Sequence, residues 1–304
     1  MIASLVSGCG GESGFGEDGG APPFWPLHGR DAPDAAFSAT YGPRLQAGGD
    51  YEFHRGLDIP TPVGTDVHAI TNGRVYNILT DDIATQGQRV ELCHAAKDGD
   101  APPEDCAGAA FFGFYSHLST LDVKLGDVVS VGGKLGQSGV GPNGFAHLHF
   151  EVRNDNGHAE DALHPLTVLP YPDAGPPEIA ITKVDSADPT HPIVTVTAKT
   201  KAAELDLTSV SVKILGAGGT AIDARDFVSA DWNRKRTESG GDAEVNTPEI
   251  DGIRLTPEPY SQGTAEYVLH VTFLSLKGPA SAADLRVEAT ATDARGNEAI
   301  ATSP

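Results

Sequence analysis

The sequence predicts an all-β protein built of antiparallel sheets, and three observations carry that prediction. Glycine (36 residues) and proline (22 residues) are abundant across the 304 positions, as a chain with many turns requires. Short runs of alternating apolar and polar residues recur along the chain, the period-2 signature of half-buried strands. No long amphipathic helical run stands out. The length accommodates two domains.

The chain opens with Val6-Ser7-Gly8-Cys9, which resembles the bacterial lipobox, where the cysteine is lipidated. Residues 10–21 are glycine-rich and acidic, as a flexible tether would be. Residues 1–8 lack a basic start and a full apolar run, so residues 1–23 read as a truncated signal and tether.

The next segment, His54-Arg55-Gly56-Leu57-Asp58, offers an imidazole and a carboxylate. A helix would place both on one face, but Gly56 is a poor helix former and Pro60 and Pro62 follow. The spacing therefore predicts an extended stretch leading into a turn. Both side chains suit Zn(II); equally, a surface histidine and a turn-capping aspartate would look the same.

Further on, Phe145-Ala146-His147-Leu148-His149-Phe150-Glu151-Val152-Arg153 alternates as a strand. Residues i and i+2 share a face, so His147 and His149 project together while Leu148, Phe150 and Val152 pack into a core. A strand holds such a pair stiffly. Alone, an HxH on a half-buried strand also fits two surface histidines. Between these pieces stands His117, in Phe114-Tyr115-Ser116-His117-Leu118-Ser119.

Taken in order, HxGxD, YxHLS and HLHFE resemble the lysostaphin-type (LytM-like) zinc metallopeptidases that cut peptidoglycan. The connecting text carries the same resemblance. Phe37-Ser38-Ala39-Thr40-Tyr41-Gly42-Pro43-Arg44 is similar to the family's approach to its first ligand. Residues 62–75 resemble its "GTPVxAxxxGxV" hairpin, and residues 123–129 and 133–139 its glycine-spaced run. The likeness spans roughly residues 24–168, about half the chain.

Carried over position by position, the resemblance makes His54, Asp58 and His149 ligands of one Zn(2+), with His117 and His147 the catalytic pair beside it. No position of the set is lost, unlike in the family's degenerate members, which activate other hydrolases. Two departures, an insertion over residues 93–110 and an altered run over residues 139–145, bear on substrate preference. Three protein ligands leave a place for water, whose pKa a zinc ion lowers from ~15.7 towards ~7. The chain has no HExxH, so a neutral histidine is the natural base.

The remaining histidines at 28, 68, 94, 158, 191 and 270 read as surface or ordinary structural residues, and His164 as a turn residue before Pro165. Cys93 and Cys106 flank an Asp/Pro/Gly-rich stretch, and an exported chain would bridge them. Two free or metal-binding thiols are the alternative. The net charge of −21, from 21 basic and 42 acidic residues, disfavours nucleic acid and electrostatic binding to anionic membrane. A lipid on Cys9 is the one membrane contact expected.

The proline-dense residues 170–177 read as a stiff linker between a metallopeptidase domain at 24–169 and a second domain at 178–304. Alternating runs at 178–183, 193–198, 210–215, 267–273 and 285–292 predict an antiparallel sandwich. Residues 290–299 resemble the last hairpin of bacterial immunoglobulin-like domains. The polar residues 230–263 read as a long loop or insertion, and the second domain as a spacer or a module with a wall or protein partner.

The leading expectation is an exported zinc endopeptidase of the bacterial periplasm or cell envelope, acting on peptidoglycan. A non-catalytic wall-binding lipoprotein or amidase activator of the same fold is the alternative. A third reading keeps the chemistry but directs it at a glycine-rich secreted protein.

Overall fold

A computed structural model describes residues 25–27, 37–45, 49, 51–80, 87–95, 100–142, 144–154, 158–171, 173, 175–200, 206–240, 248–259 and 266–303. Cys9, its tether, and His28 lie outside the described residues. The fold is all-β with antiparallel pairing throughout the described strands, as expected from the alternation.

Two strands, β1 (Gly42–Leu45) and β2 (Tyr51–His54), form a hairpin that is a two-stranded sheet of its own. A nine-stranded sheet follows, from β3 (Gly56–Pro60), β4 (Asp66–His68), β5 (Gly73–Leu79), β6 (Gln88–His94), β7 (Phe111–Leu121), β8 (Val128–Val129), β9 (Lys134–Val140), β10 (Ala146–Arg153) and β11 (Ala162–Leu163). Strand β10 lies between β3 and β7, paired to each.

The alternation of β10 decides which face is which. Leu148, Phe150 and Val152 are fully buried and join Leu57, Ile59, Val90, Leu92 and Tyr115 in the main core. His147, His149, Glu151 and Arg153 therefore stand on the other face. Phe112 and Phe114 of β7 share that second face and pack with Cys93 in a smaller cluster. The disulfide Cys93–Cys106 closes the insertion beside it.

Sheet membership changes between Leu163 and Glu178. Beyond it, β12 (Glu178–Asp185), β13 (Ile193–Lys199), β14 (Leu207–Leu215), β15 (Ala221–Val228), β16 (Glu249–Ile250), β17 (Ile253–Pro257), β18 (Val268–Phe273), β19 (Arg286–Asp293) and β20 (Glu298–Thr302) form two sheets. Their orders are β12-β13-β18-β17-β16 and β15-β14-β19-β20. Alternate residues point inward: Val194, Val196 and Ala198 in one sheet, Val287, Ala289 and Ala291 in the other. Residues 286–302 do form a terminal hairpin.

The expected loop over 230–263 is a correction. A helix, α1 (Ser229–Gly240), and strands β16 and β17 occupy much of it. Among its described side chains Ser229, Trp232 and Asn233 are buried, while Asp231, Arg234 and Lys235 are exposed. In β17, Ile253, Leu255 and Pro257 are buried while Arg254 and Thr256 are exposed, an alternation that its polar surroundings mask.

Candidate metal centre

The register of three strands assembles the site. His149 of β10 lies directly opposite Asp58 of β3 on one side and Ser116 of β7 on the other. Cross-strand neighbours in a ladder stand about 4.5–5.5 Å apart, so this pairing alone brings the two side chains together. Gly56 permits it: a Cβ there would stand 2.4 Å from the Phe150 carbonyl oxygen, so only glycine lets β3 lie this close to β10.

His54 ends β2, just before the chain enters β3. Its Nδ1–H donates to the Thr40 carbonyl at 2.7 Å, which leaves Nε2 with its lone pair directed inward. That Nε2 lies 3.1 Å from Asp58 Oδ1 and 3.1 Å from His149 Nδ1, while His149 Nδ1 lies 2.7 Å from Asp58 Oδ1. Three ligand atoms thus converge on one point. Donors held by a tetrahedral zinc at about 2.0–2.2 Å would stand roughly 3.3 Å apart, close to what these residues present.

The protonation states of Asp58 and His54 suit a cation, and that of His149 couples metal binding to proton release. Burial would raise the Asp58 carboxyl, but the histidines 54 and 149 override it and hold it well below the usual carboxylate range. Burial, with the neighbouring Arg44 charge, keeps His54 below its ordinary value and so neutral. Burial also opposes charge on His149, yet hydrogen bonds with Asp58 and Glu151 raise it to about 9. A proton there sits among the atoms a metal would use, and metal binding releases it.

His147 and His117 complete the pocket. His147 Nε2 lies 3.5 Å from Asp58 Oδ1, and its Nδ1–H donates to the Phe145 carbonyl at 2.9 Å. The His117 ring stands 4.6 Å from that of His147 and 5.7 Å from that of His149, centre to centre. Strict alternation along β7 would send His117 to the core face, since Ser116 shares the face of Phe112 and Phe114. A bulge opposite Arg89 and a φ of +63° at His117 turn it to the site instead. Such a conformation costs a non-glycine residue about 1–3 kcal/mol, and it is found where surrounding structure enforces it.

Several residues of the site had no assigned role in the sequence. Glu151 Oε1 accepts from His149 Nε2–H at 2.8 Å, which fixes Nδ1 as the inward atom. Arg153 in turn donates to Glu151 Oε2 from Nε at 2.9 Å and Nη2 at 2.6 Å, with its guanidinium 3.8 Å over the Phe114 ring. Arg44 reaches Asp58 Oδ2 at 3.4 Å and pairs closely with Glu52. The period of β10 places Glu151 and Arg153 on the histidine face, so their position was legible although their partners were not.

Residues 52–162 match Peptidase family M23. This segment belongs to that family. All five residues of the pocket fall inside it, and the M23 segment is thus the part of the chain that builds the site.

An uncharacterized protein of Mycobacterium tuberculosis (strain ATCC 25618 / H37Rv) is 30% identical over 152 residues, 48% of this chain and 31% of that protein. An "uncharacterized metalloprotease" of Buchnera aphidicola is 30% identical over 100 residues, 33% of this chain and 23% of that protein. The chain spans about a third or less of the length of these curated relatives. Among solved structures, the catalytic domain of lysostaphin from Staphylococcus simulans is 27% identical, covering 45% of this chain and 92% of its own, with a TM-score of 0.36. A putative M23 peptidase from Pseudomonas aeruginosa is 28% identical over 45% of this chain and 47% of its own, with a TM-score of 0.29.

Two of the other histidines have structural places. His94 is fully buried against Phe111, with Thr71 Oγ1 at 2.9 Å from Nδ1. His164 accepts from the Leu166 amide and caps the turn at Pro165. Among the described residues no helix is long and apolar enough to cross a membrane.

Proposed function

We propose that this chain is a zinc-dependent endopeptidase that hydrolyses peptide bonds in peptidoglycan. The observation that carries the reading is the convergence of His54 Nε2, Asp58 Oδ1 and His149 Nδ1, with two further histidines beside them. Two neutral imidazoles and one carboxylate are a zinc donor set, and three protein ligands are the number a catalytic site uses. Membership of a peptidase family supports the same reading.

Bound there, zinc would supply a water acidified towards pKa ~7 and a Lewis acid for the scissile carbonyl. Asp58 stays ionised and offsets the cation's charge. His147 presents Nε2 as an acceptor, since its Nδ1 already donates to Phe145, so it receives the proton of the attacking water. His117, on the facing wall, stabilises the oxygen on which negative charge develops. Arg44 and Glu151 hold Asp58 and His149 in place.

The setting we propose is the bacterial periplasm or cell envelope, with a lipid on Cys9 as the anchor and an immunoglobulin-like sandwich at 178–304. The disulfide Cys93–Cys106 fits an oxidising compartment. The division of labour is tested by His117→Ala and His147→Ala, made separately, with zinc content and turnover measured on each. Full zinc with turnover lowered at least ~100-fold supports the roles. Lost zinc in either variant overturns the ligand assignment.

A further inference from the structure

The hairpin that delivers His54 has no place in the large sheet. Among the described strands β1 and β2 pair only with each other, and the isolated bridge Ala39–Asp58 and the Arg44–Asp58 ion pair tie them to β3. A two-stranded hairpin alone is marginally stable in water. A metal ligand, by contrast, must be held to a fraction of an ångström. The buried Tyr41, Tyr51 and Phe53 seat this hairpin on the core, and further contacts add to that hold.

The C-terminal half of the chain supplies them, at three positions around His54. Tyr267, buried just before β18, donates its hydroxyl to the Pro43 carbonyl, and Pro43 lies opposite Phe53 in the hairpin ladder. Its hydroxyl oxygen also stands 3.3 Å from where a Cβ on Gly42 would be, and Gly42 is the ladder partner of His54. Trp232 of α1 donates from Nε1 to the Tyr51 hydroxyl at 3.0 Å, three residues before His54. Arg55, immediately after His54, donates from Nε to Asn233 Oδ1 at 3.2 Å. Asn233 is fully buried, and its Nδ2 donates to the Ala159 carbonyl at 2.7 Å. The Thr40 carbonyl that sets the His54 tautomer belongs to the strand approach held at Gly42 and Pro43.

We propose that the C-terminal half is a built-in part of the metal centre, with Tyr267 and Trp232 acting as positioning residues for the zinc ligand His54. This inference rests on the metal reading above. It assigns the C-terminal strands a task inside the peptidase site, in addition to any partner they bind.

The test uses the full chain. Tyr267→Phe keeps the packed ring and removes one donor, while Trp232→Phe removes one donor together with part of the packed indole. Val287→Ala, buried in β19 away from the hairpin, is a control that loosens the same half without touching it. Zinc affinity is read by competition with a chromophoric chelator, and ligand geometry by the visible spectrum of the cobalt-substituted protein. Each hairpin variant is expected to weaken zinc roughly 10-fold, the size of a supporting-residue effect, and to shift the cobalt bands. Val287→Ala is expected to lower the melting temperature and leave both readouts unchanged. Hairpin variants within twofold of the parent, with the parent's cobalt spectrum, would overturn the inference while leaving the metal reading intact. A parent that binds no zinc, or binds it equally well as His54→Ala, would instead sink the metal reading and this inference with it.

Discussion

Replacing Glu151 by Gln probes the support beneath the proposed zinc ligands. The carboxylate accepts from His149 on one oxygen and from two Arg153 donors on the other. Burial alone would raise its pKa, but Arg153 and His149 pull it well below the usual range, so it is ionised at any working pH. Glutamine keeps the shape and removes the charge. A hydrogen bond to a charged group contributes about 1.5–3 kcal/mol, and part of that loss reaches His149, whose imidazole becomes less basic and less firmly oriented. The expected result is zinc affinity weakened about 10–100-fold, or roughly 1.4–2.7 kcal/mol. Arg153, buried and left with a neutral partner, destabilises the fold as well, so affinity is titrated at 25 °C with the folded fraction followed by circular dichroism. Affinity within twofold of the parent in a fully folded variant would refute the role given to Glu151.

Three further outcomes follow from the geometry. In Gly141→Ala the new Cβ would stand 2.5 Å from His147 Cε1, so the ring must move. Zinc content should hold while turnover falls about 100-fold, and unchanged turnover in steady-state assays would contradict the placement of His147. His94 is buried neutral, with a pKa lowered by desolvation from 6.5 to about 4. Its folded value lies below its unfolded one, so the unfolded chain protonates first, and stability is lost as pH falls from about 6.5 to about 4. The full loss is about 3 kcal/mol, read from urea midpoints across that window, and absent in His94→Gln. Cys106→Ser opens a loop of 13 residues' separation and should lower stability by about 2–3 kcal/mol in thermal or urea unfolding, with the proposed zinc ligands unaltered.

What was legible in the sequence followed from period and spacing. The alternation of residues 145–153 placed the two histidines on one face and Leu148, Phe150 and Val152 in the core, as the structure has them. Gly56 and the prolines after it ruled out a helix at His54, and the chain is extended there. The position of His117 could not be read from alternation, because a bulge and a positive φ reverse the face on which it would stand. Helix α1 escapes the sequence pattern because Trp232 stands among polar and charged residues, so no apolar stripe marks it. The clamp on the β1–β2 hairpin joins residues more than 170 positions apart, and no local pattern encodes such a contact.

The central claim is that His54, Asp58 and His149 hold a zinc ion that cuts peptide bonds in cell-wall material. Mass analysis of purified peptidoglycan after incubation with the protein tests it most directly, run with zinc, with chelator, and with zinc restored after chelation. The account predicts new amine-ended stem or bridge fragments that vanish with chelator and return with zinc. Wall that binds the protein and stays intact in all three samples would contradict it, and would favour a binding or activating role for the same fold.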